Sequence, residues 1–404
     1  MAPNTCQLDT RTVTSSGAFR LLVLSDASSA HTERWVRALA ARGHVISLYS
    51  LSTPAGDAYA DLKNVTVQSL GLPISLVADS EGALSKARYL KAIRPIRDLI
   101  KTFAPDVVHA HYVTSYGLLA TLAGARPRIL SAWGMDVYGL ASRSVLYRKF
   151  VSSVLGSADL ILSTSNVMRS QIGLITQRAV EVTPFGVDTE KFCPRPLSAT
   201  SDDSVITVGL VKALESKYGI EYLLQSFKIV TLRARSNRSY RLLLVGDGSM
   251  RSKLEKAANQ LGISDKVQFA GQCSYDEIQN WHQCLDIAVY PSIDASESFG
   301  VAAVESQSCA VPVIVSDIGG LPEVVVNEQT GLVVPPKNVE ELAEAILRLG
   351  QDSMLRKQMG ERARRHVIEH FSLSDSVRLM ETMYRKVSVR SRLEHDSDHR
   401  TAHR

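Results

Sequence analysis

The feature that most constrains the fold is a regular alternation of short apolar segments with longer amphipathic ones. Residues 19–25 form an apolar run that ends in a small polar residue, as a buried parallel strand does. Residues 32–42 place Trp35 and Leu39 on one helical face, and residues 45–49 are the next apolar run. This βαβ pattern predicts parallel strands with helices packed against the sheet.

The same alternation runs through the chain twice. The first series continues with strands predicted at residues 106–111, 129–132 and 160–163. The second series has strands predicted at residues 205–209, 241–245, 267–270, 287–290 and 313–316. Between them, residues 184–204 contain prolines and a polar stretch, which are typical of an interdomain linker.

The sequence therefore predicts an α/β fold with two doubly wound Rossmann-like domains that face each other across a cleft. The expected boundaries are residues 1–195 and residues 196–370. Residues 371–387 are predicted to form a helix that returns to the N-terminal domain. Residues 388–404 are highly polar and hold few apolar residues, so we expect a disordered tail there. Open parallel sheets bind ligands outside the carboxyl ends of their strands, which makes the cleft the expected site.

Several classes of protein are excluded by what the sequence lacks. No apolar stretch approaches the roughly 18 to 20 residues that a membrane-spanning helix needs. The first residues lack the basic head and apolar run of a secretory signal. The five cysteines are scattered and include no C-x-x-C pair, which argues against a disulfide framework or a zinc site. We expect a cytoplasmic protein with no nucleic-acid partner.

The strongest functional signal is a pair of glutamates, Glu297 and Glu305, in an E-x7-E spacing. Eight residues are just over two helical turns, so the two carboxylates are expected on one face, with Glu297 in the loop before the helix. The backbone amides of Phe299, Gly300 and Val301 are then expected at the helix N-terminus, where they would attract a diphosphate.

Carboxylates repel a diphosphate, so the two glutamates suit neighbouring hydroxyl groups instead. Glu305 is expected to accept hydrogen bonds from ribose hydroxyls and Glu297 from a sugar. Lys212 and Lys217 follow the first strand of the second domain and can neutralise the diphosphate. We therefore expect no metal and no other cofactor.

These segments resemble glycosyltransferase family 4, whose members have the two-domain GT-B architecture. The resemblance extends from Phe19 to about Arg385. The E-x7-E spacing, which encloses Ser298, Phe299 and Gly300, is one matching motif. The others lie at residues 184–188, 245–248, 290–292 and 316–323. The resemblance implies transfer with retention of anomeric configuration, with the nucleotide sugar in the C-terminal domain and the acceptor in the N-terminal domain.

The resemblance also implies roles for single residues. Lys217 matches the phosphate-binding lysine of the family, and Lys212 stands where an arginine is usual. His111 matches a first-domain histidine near the donor sugar, so the predicted catalytic set is Glu297, His111 and Lys217. The loop at residues 28–31 lacks the Gly-Gly that is usual there.

Three further positions have two interpretations each. His109 and His111 are expected to point in opposite directions on their strand, so that only one faces the cleft. Asp136 either belongs to the site or caps the helix that follows it. Gly246 either contacts the donor or marks the tight turn of a βα unit.

Residues 86–103 form a basic amphipathic segment. Its cationic residues are Lys86, Arg88, Lys91, Arg94, Arg97 and Lys101. One interpretation is an ordinary surface helix. The other is peripheral docking on the anionic inner face of the plasma membrane, which would suit a lipid-linked acceptor.

The sequence thus favours a retaining hexosyltransferase that uses a nucleotide diphosphate sugar, of the UDP-hexose or GDP-mannose type. The acceptor is expected to be a glycan or lipid-linked, in surface polysaccharide or glycolipid biosynthesis. A nucleotide-sugar 2-epimerase of the same architecture and a non-catalytic sugar-nucleotide sensor are the alternatives. A dehydrogenase is disfavoured because no complete G-x-G-x-x-G follows a strand.

Overall fold

A computed structural model describes residues 17–54, 56–74, 87–138, 145–195, 204–234 and 238–401, with side chains as far as residue 389. Within these ranges the chain forms two parallel sheets, one in each half. The predicted architecture of two parallel-sheet α/β domains is confirmed.

The first sheet contains β1 (Arg20–Leu24), β2 (Val45–Ser52), β3 (Val65–Leu72), β4 (Val107–His111), β5 (Arg128–Ser131), β6 (Leu160–Ser163) and β7 (Val180–Val182). Their spatial order is β3-β2-β1-β4-β5-β6-β7, and all described pairs are parallel. The strand order reverses between β1 and β4, which creates a crevice at their carboxyl ends. Leu21, Leu22 and Leu24 of β1 are fully buried, because helices cover both faces of the sheet.

The helices of the first half are α1 (Ala30–Ala41), α2 (Ile93–Phe103), α3 (Leu118–Ala123), α4 (Met135–Tyr138), α5 (Val145–Gly156) and α6 (Asn166–Gly173). Helix α1 packs on one face of the sheet, through residues such as Trp35 and Leu39. Helices α2, α3, α5 and α6 supply the buried apolar residues of the opposite face. A π-helical turn at Tyr112–Gly117 joins β4 to α3.

The second sheet contains β8 (Val205–Val211), β9 (Ser239–Val245), β10 (Val267–Gly271), β11 (Ile287–Tyr290), β12 (Val313–Ser316) and β13 (Gly331–Val334). Its order is β10-β9-β8-β11-β12-β13, so a second crevice lies between β8 and β11. The helices of this half are α7 (Ile220–Arg233), α8 (Arg251–Gln260), α9 (Ile278–Gln283), α10 (Val301–Ser308), α11 (Val339–Gln351) and α12 (Ser353–His370).

The chain passes between the halves twice, and the two passages pair with each other. The amide of Val187 donates to the carbonyl of Phe371 over 2.9 Å, and the amide of Leu373 donates back to the carbonyl of Val187 over 2.9 Å. Gly186 permits this approach, because a Cβ there would lie 2.4 Å from the Cα of Leu373. These two hydrogen bonds hold the two passages side by side.

The last helix, α13 (Leu373–Thr401), lies against the first half of the chain. Glu381 accepts a hydrogen bond of 2.5 Å from Arg42, and the buried Tyr384 reaches His109 of β4. The expectation of a disordered tail from residue 388 is wrong as far as Thr401, because α13 continues without interruption to that residue. The segment contains neither proline nor glycine, so nothing in it ends the helix. Residues 402–404 of the expected tail lie outside the described residues.

Candidate active site between the two sheets

The site lies where loops at the carboxyl ends of both sheets touch. The hydroxyl of Ser298, in the loop before α10, donates to the carbonyl of Trp133 after β5 over 2.8 Å. Gly134 lies so close that a Cβ on it would be 3.0 Å from the carbonyl oxygen of Ser296. The loops of the two domains therefore form a continuous wall around the cleft.

Helix α10 begins at the cleft, as the sequence predicted. Gly300 precedes its first residue with φ 89°, and a Cβ at this position would lie 2.6 Å from Leu321, so glycine is required. Phe299 is buried and anchors the loop. Within the described part of the chain, the backbone amides of Phe299, Gly300 and Val301 donate no hydrogen bond. They are therefore free to bind an anion.

Glu297 and Lys212 form an ion pair in this structure. The ammonium nitrogen of Lys212 lies 2.5 Å from a carboxylate oxygen of Glu297, and both side chains are largely buried. The same nitrogen lies 4.4 Å from the centre of the Tyr218 ring. Burial alone would lower the pKa of Lys212, but the attraction of Glu297 and Tyr218 outweighs it and raises that pKa. The lysine is therefore charged and held in place before any ligand binds.

Lys217 lies on the other edge of this cluster. It belongs to a 3-10 turn, Ser216–Tyr218, and its ammonium nitrogen is 5.0 Å from the Tyr218 ring centre. Its carbonyl accepts a hydrogen bond of 2.9 Å from the amide of Ile293, which ties the turn to the loop that carries Glu297. The two predicted phosphate-binding lysines thus flank one aromatic ring.

Glu305 is buried one turn into α10 and faces the first domain. One carboxylate oxygen lies 3.5 Å from the guanidinium of Arg34 in α1, and the other lies 3.5 Å from Nε2 of His282 in α9. Burial would raise the pKa of Glu305, but His282 and Arg34 together lower it, so the carboxylate is ionised. Glu297 and Glu305 are thus not on one helical face, since Glu297 precedes the helix, but both line the same cleft.

Arg34 and His31 belong to this cluster, although the sequence analysis did not select them. The guanidinium of Arg34 donates to Nδ1 of His31 over 2.9 Å and to the carbonyl of Gly186 over 3.2 Å. The His31 ring stacks on Phe185 with a centroid distance of 4.8 Å. The signal that could have found them is their position, because the H-x-x-R spacing opens the helix that follows the first strand.

His109 and His111 lie on the same side of β4, so the prediction that they point in opposite directions is wrong. Their rings are 4.5 Å apart, because residues two apart in a strand share a face. Nδ1 of His111 contacts the Ser25 hydroxyl over 2.8 Å, and its ring lies 4.3 Å from the Trp133 ring. Burial lowers the pKa of His109 to about 3 and that of His111 well below its usual value, so both rings are neutral.

Family profiles match both halves of the chain. The profile described as glycosyl transferases group 1 matches residues 198–366, and the profile described as glycosyl transferase 4-like matches residues 20–165. The chain belongs to glycosyltransferase family 4.

Two curated relatives illustrate how far this similarity extends. An uncharacterized glycosyltransferase of Methanocaldococcus jannaschii is 26% identical over 296 residues, which are 72% of this chain and 78% of that protein. The D-inositol 3-phosphate glycosyltransferase of Streptomyces bingchenggensis is 27% identical over 287 residues, which are 65% of this glycosyltransferase and 62% of that protein.

Solved structures with the same fold identify the architecture as GT-B. Sucrose-phosphate synthase from Thermosynechococcus elongatus superposes with a TM-score of 0.76 at 20% identity, over 91% of this glycosyltransferase and 98% of that chain. HepE from Anabaena, solved in complex with UDP and glucose, superposes with a TM-score of 0.72 at 17% identity, over 90% of this chain and 99% of that chain.

In this glycosyltransferase, the side chain of Asp136 is buried and accepts hydrogen bonds from backbone amides. One carboxylate oxygen accepts from the amides of Trp133 and Gly134 over 3.2 and 2.9 Å, and the other accepts from the amide of Val113 over 2.9 Å. Burial raises the pKa of Asp136 despite these hydrogen bonds. The side chain therefore fixes the loop after β5 to the turn after β4.

The close approach of two backbone segments explains the glycine at position 246. Its φ is 132°, and a Cβ there would lie 2.1 Å from the carbonyl oxygen of Lys212. The end of β9 can pass next to the end of β8 because this position has no side chain. Gly246 thus lets the backbone of Lys212 keep its place at the cleft.

The described residues contain no group of three or more His, Cys, Asp and Glu side chains that could hold a metal ion. No helix among them is both long enough and apolar enough to span a bilayer.

Proposed function

We propose that this glycosyltransferase transfers a hexose from a nucleoside diphosphate sugar to a glycan or lipid-linked acceptor, with retention of anomeric configuration. The observation that carries the proposal is the arrangement at the start of α10. Unpaired amides, two lysines around Tyr218 and the carboxylates of Glu297 and Glu305 line one cleft between the domains. The complex of HepE with UDP and glucose supports a donor of this chemical class.

Donor binding would rearrange the charges of the cleft. The diphosphate would replace Glu297 as the ion-pair partner of Lys212. Lys217 and the amides at the start of α10 would bind its remaining oxygens. Glu297 would then be free to accept hydrogen bonds from hydroxyls of the hexose. Glu305, which Arg34 and His282 already orient, would accept those of the ribose.

The chemistry that this arrangement supports is stabilisation of a leaving diphosphate. As the bond between the anomeric carbon and the diphosphate oxygen breaks, negative charge develops where Lys212, Lys217 and the helix amides converge. The acceptor oxygen forms the new bond to the anomeric carbon on the same face, and its proton passes to the departing diphosphate. His111, neutral and close to Trp133, would contact the hexose rather than take the proton.

We propose that the donor is a UDP-hexose or a GDP-mannose type compound and that the lysines replace a metal ion in charge neutralisation. A thermal-shift screen against nucleotides and nucleotide sugars tests the first part. A ligand at 100 times its Kd should add about 2.7 kcal/mol to the free energy of unfolding. Activity that is unchanged by a metal chelator is the result expected for the second part.

An acceptor screen with the preferred donor tests the reaction itself. Transfer to an added acceptor, with a product of the same anomeric configuration as the donor by proton NMR, is the expected result. Isomerisation or hydrolysis of the donor at a rate that does not change when any acceptor is added would instead indicate a 2-epimerase. Tight donor binding without turnover in any extract would indicate a sensor.

We also propose that α2 docks this glycosyltransferase on an anionic membrane through charge rather than through apolar insertion. Ile96 and Leu99 are buried against the first sheet, so the apolar side of the segment is occupied. Lys91, in the 3-10 segment Ala87–Ala92 before α2, and Arg94 and Arg97 of α2 are exposed. Lys86 lies outside the described residues. Attraction of this kind is screened by salt.

Vesicle sedimentation tests the docking proposal. Lys91→Glu, Arg94→Glu and Arg97→Glu together should abolish binding to vesicles rich in anionic lipid at low salt. A matched control reverses three exposed charges of the second domain, Lys256, Lys357 and Arg365. Equal binding by both triple variants would show that α2 is an ordinary surface helix.

A further inference from the structure

We propose that His31 donates a hydrogen bond to the diphosphate of the nucleotide sugar, and that Arg34 prepares it by fixing which ring nitrogen carries the proton. The proposal rests on the proposed function, because it takes the nucleoside diphosphate as the ligand. It adds a contact from the first domain to a group that the second domain otherwise holds alone.

The position of His31 places it at the carboxyl edge of the first sheet. It is the second residue of α1, directly after the crevice between β1 and β4. Its ring is only partly buried and stacks on Phe185, with an interplanar angle of 19°. The His31 ring centre also lies 6.1 Å from that of Trp133, whose carbonyl accepts the hydrogen bond from Ser298 beside Glu297, so His31 belongs to the same wall of the cleft as the start of α10.

The contact with Arg34 determines the tautomer of His31. A guanidinium has only donors, so in the contact of 2.9 Å between Arg34 Nη2 and His31 Nδ1 the histidine nitrogen must accept. The proton of the neutral ring is therefore on Nε2. Arg34 is itself held by the carbonyl of Gly186 and by Glu305, which keeps its guanidinium in place.

The ring is neutral at ordinary pH. Burial, then the charges of Arg34 and Lys212, lower the pKa of His31 to about 4 against the opposing effect of Glu305 and Glu297. Among the described residues, Nε2 of His31 has no hydrogen-bond partner. An N–H donor thus remains available in the cleft, and an anionic phosphate oxygen is an acceptor that suits it.

Two amide substitutions separate the two ring nitrogens. An asparagine can accept from Arg34 as Nδ1 does, but it has no donor at the position of Nε2. A glutamine can place an N–H near the position of Nε2. Affinities of the wild type, His31→Asn and His31→Gln would be measured by calorimetry for UDP and UMP, and for GDP and GMP. The diphosphate and monophosphate differ only in the β-phosphate.

The expected result is that His31→Asn lowers the preference for diphosphate over monophosphate by about tenfold, while His31→Gln largely keeps it. Equal weakening of both nucleotides, or no weakening, would overturn the role of His31. If the wild type binds neither UDP nor GDP, the proposed function fails instead. Unfolding temperatures within a few degrees of each other would show that both variants are folded.

The role of Arg34 has a spectroscopic test. Long-range proton–nitrogen NMR spectra distinguish the two neutral tautomers of a histidine ring. The wild type should show His31 protonated on Nε2, and Arg34→Met should show a mixture of tautomers. A wild-type ring protonated on Nδ1 would contradict the assignment.

Discussion

At the scale of single residues, the site is a set of charges that neutralise one another until a ligand arrives. Lys212 pairs with Glu297, and Glu305 pairs with Arg34 from the opposite domain. A partly buried charge without a partner is energetically unfavourable, so the two members of each ion pair hold each other in the cleft. Binding a diphosphate exchanges the partner of Lys212, and the hydroxyls of the hexose then satisfy Glu297.

The pairing of Lys212 with Glu297 gives a prediction that separates stability from catalysis. Lys212→Met should lower kcat/KM about 100-fold, because the developing charge on the diphosphate loses a cation. It should also lower the free energy of unfolding by about 1–3 kcal/mol, because Glu297 is left unpaired. The measurements are steady-state kinetics and urea unfolding.

The control for this prediction is the double variant Lys212→Met with Glu297→Gln. It should regain most of the lost stability, because no unpaired charge remains, but none of the activity. A double variant as unstable as Lys212→Met would show that the ion pair does not hold the site together.

The buried histidines predict how stability depends on pH. The folded pKa of His109 is about 3, below the ordinary 6.5, so the unfolded chain binds a proton that the folded chain does not. The stability linked to His109 is complete above pH 6.5 and falls by about 1.4 kcal/mol per pH unit below it. His109→Gln should therefore show a shallower loss of stability between pH 6.5 and pH 5. Parallel pH profiles of the two proteins in urea unfolding would contradict this.

At the scale of elements, α13 joins the two halves of the chain. Tyr384 is fully buried, and its hydroxyl contacts Nδ1 of His109 over 3.0 Å. Nε2 of the same ring contacts the Ser131 hydroxyl over 2.7 Å. A chain of buried hydrogen bonds thus connects the last helix to two strands of the first sheet, next to His111.

Removal of the Tyr384 hydroxyl should therefore destabilise the protein without affecting the chemistry. Tyr384→Phe leaves Nδ1 of His109 without a partner and should cost about 1–3 kcal/mol of unfolding free energy. Its kcat/KM at low temperature should stay within about twofold of the wild type. Phe371→Leu, which leaves this hydroxyl in place, is a control. A large loss of kcat with unchanged stability would mean that Tyr384 acts on the site.

The elements were predictable where a local rule determines them. The apolar runs gave the parallel strands, and Gly300 followed by an apolar helix gave the start of α10. Local rules did not predict features that depend on contacts between residues far apart in the sequence. The burial of Ile96 depends on the sheet beneath α2. The shared face of His109 and His111, in contrast, follows from the two-residue period of a strand, which is a local rule. The helix beyond residue 388 was missed because its composition suggested disorder.

At the scale of the whole molecule, a few contacts hold the two domains together across the cleft. Glu323 of the second domain accepts hydrogen bonds of 2.8 and 2.6 Å from the amides of Asn166 and Val167, at the start of α6. It also accepts from the side chain of Asn166 over 2.9 Å. These residues are 157 and 156 positions apart, so no sequence pattern could have paired them.

Loss of this link should open the cleft. Glu323→Ala removes three hydrogen bonds between the domains, so small-angle X-ray scattering should give a larger radius of gyration without ligand. The KM for the donor should rise, because the closed arrangement becomes less populated. Glu328→Ala is the matched control, since Glu328 pairs with Arg348 inside the second domain. Identical scattering curves for the two variants would contradict a closing role for Glu323.

The central claim is that the lysines and the start of α10 bind a nucleoside diphosphate. Titration calorimetry of UDP and GDP into the wild type, Lys217→Ala and Lys256→Ala tests it most directly, because Lys256 is an exposed lysine of the same domain away from Tyr218. The account predicts that the wild type binds at least one of the two nucleotides. It predicts that Lys217→Ala binds that nucleotide about tenfold more weakly or worse, with Lys256→Ala unchanged. Equal affinity in all three proteins would contradict it.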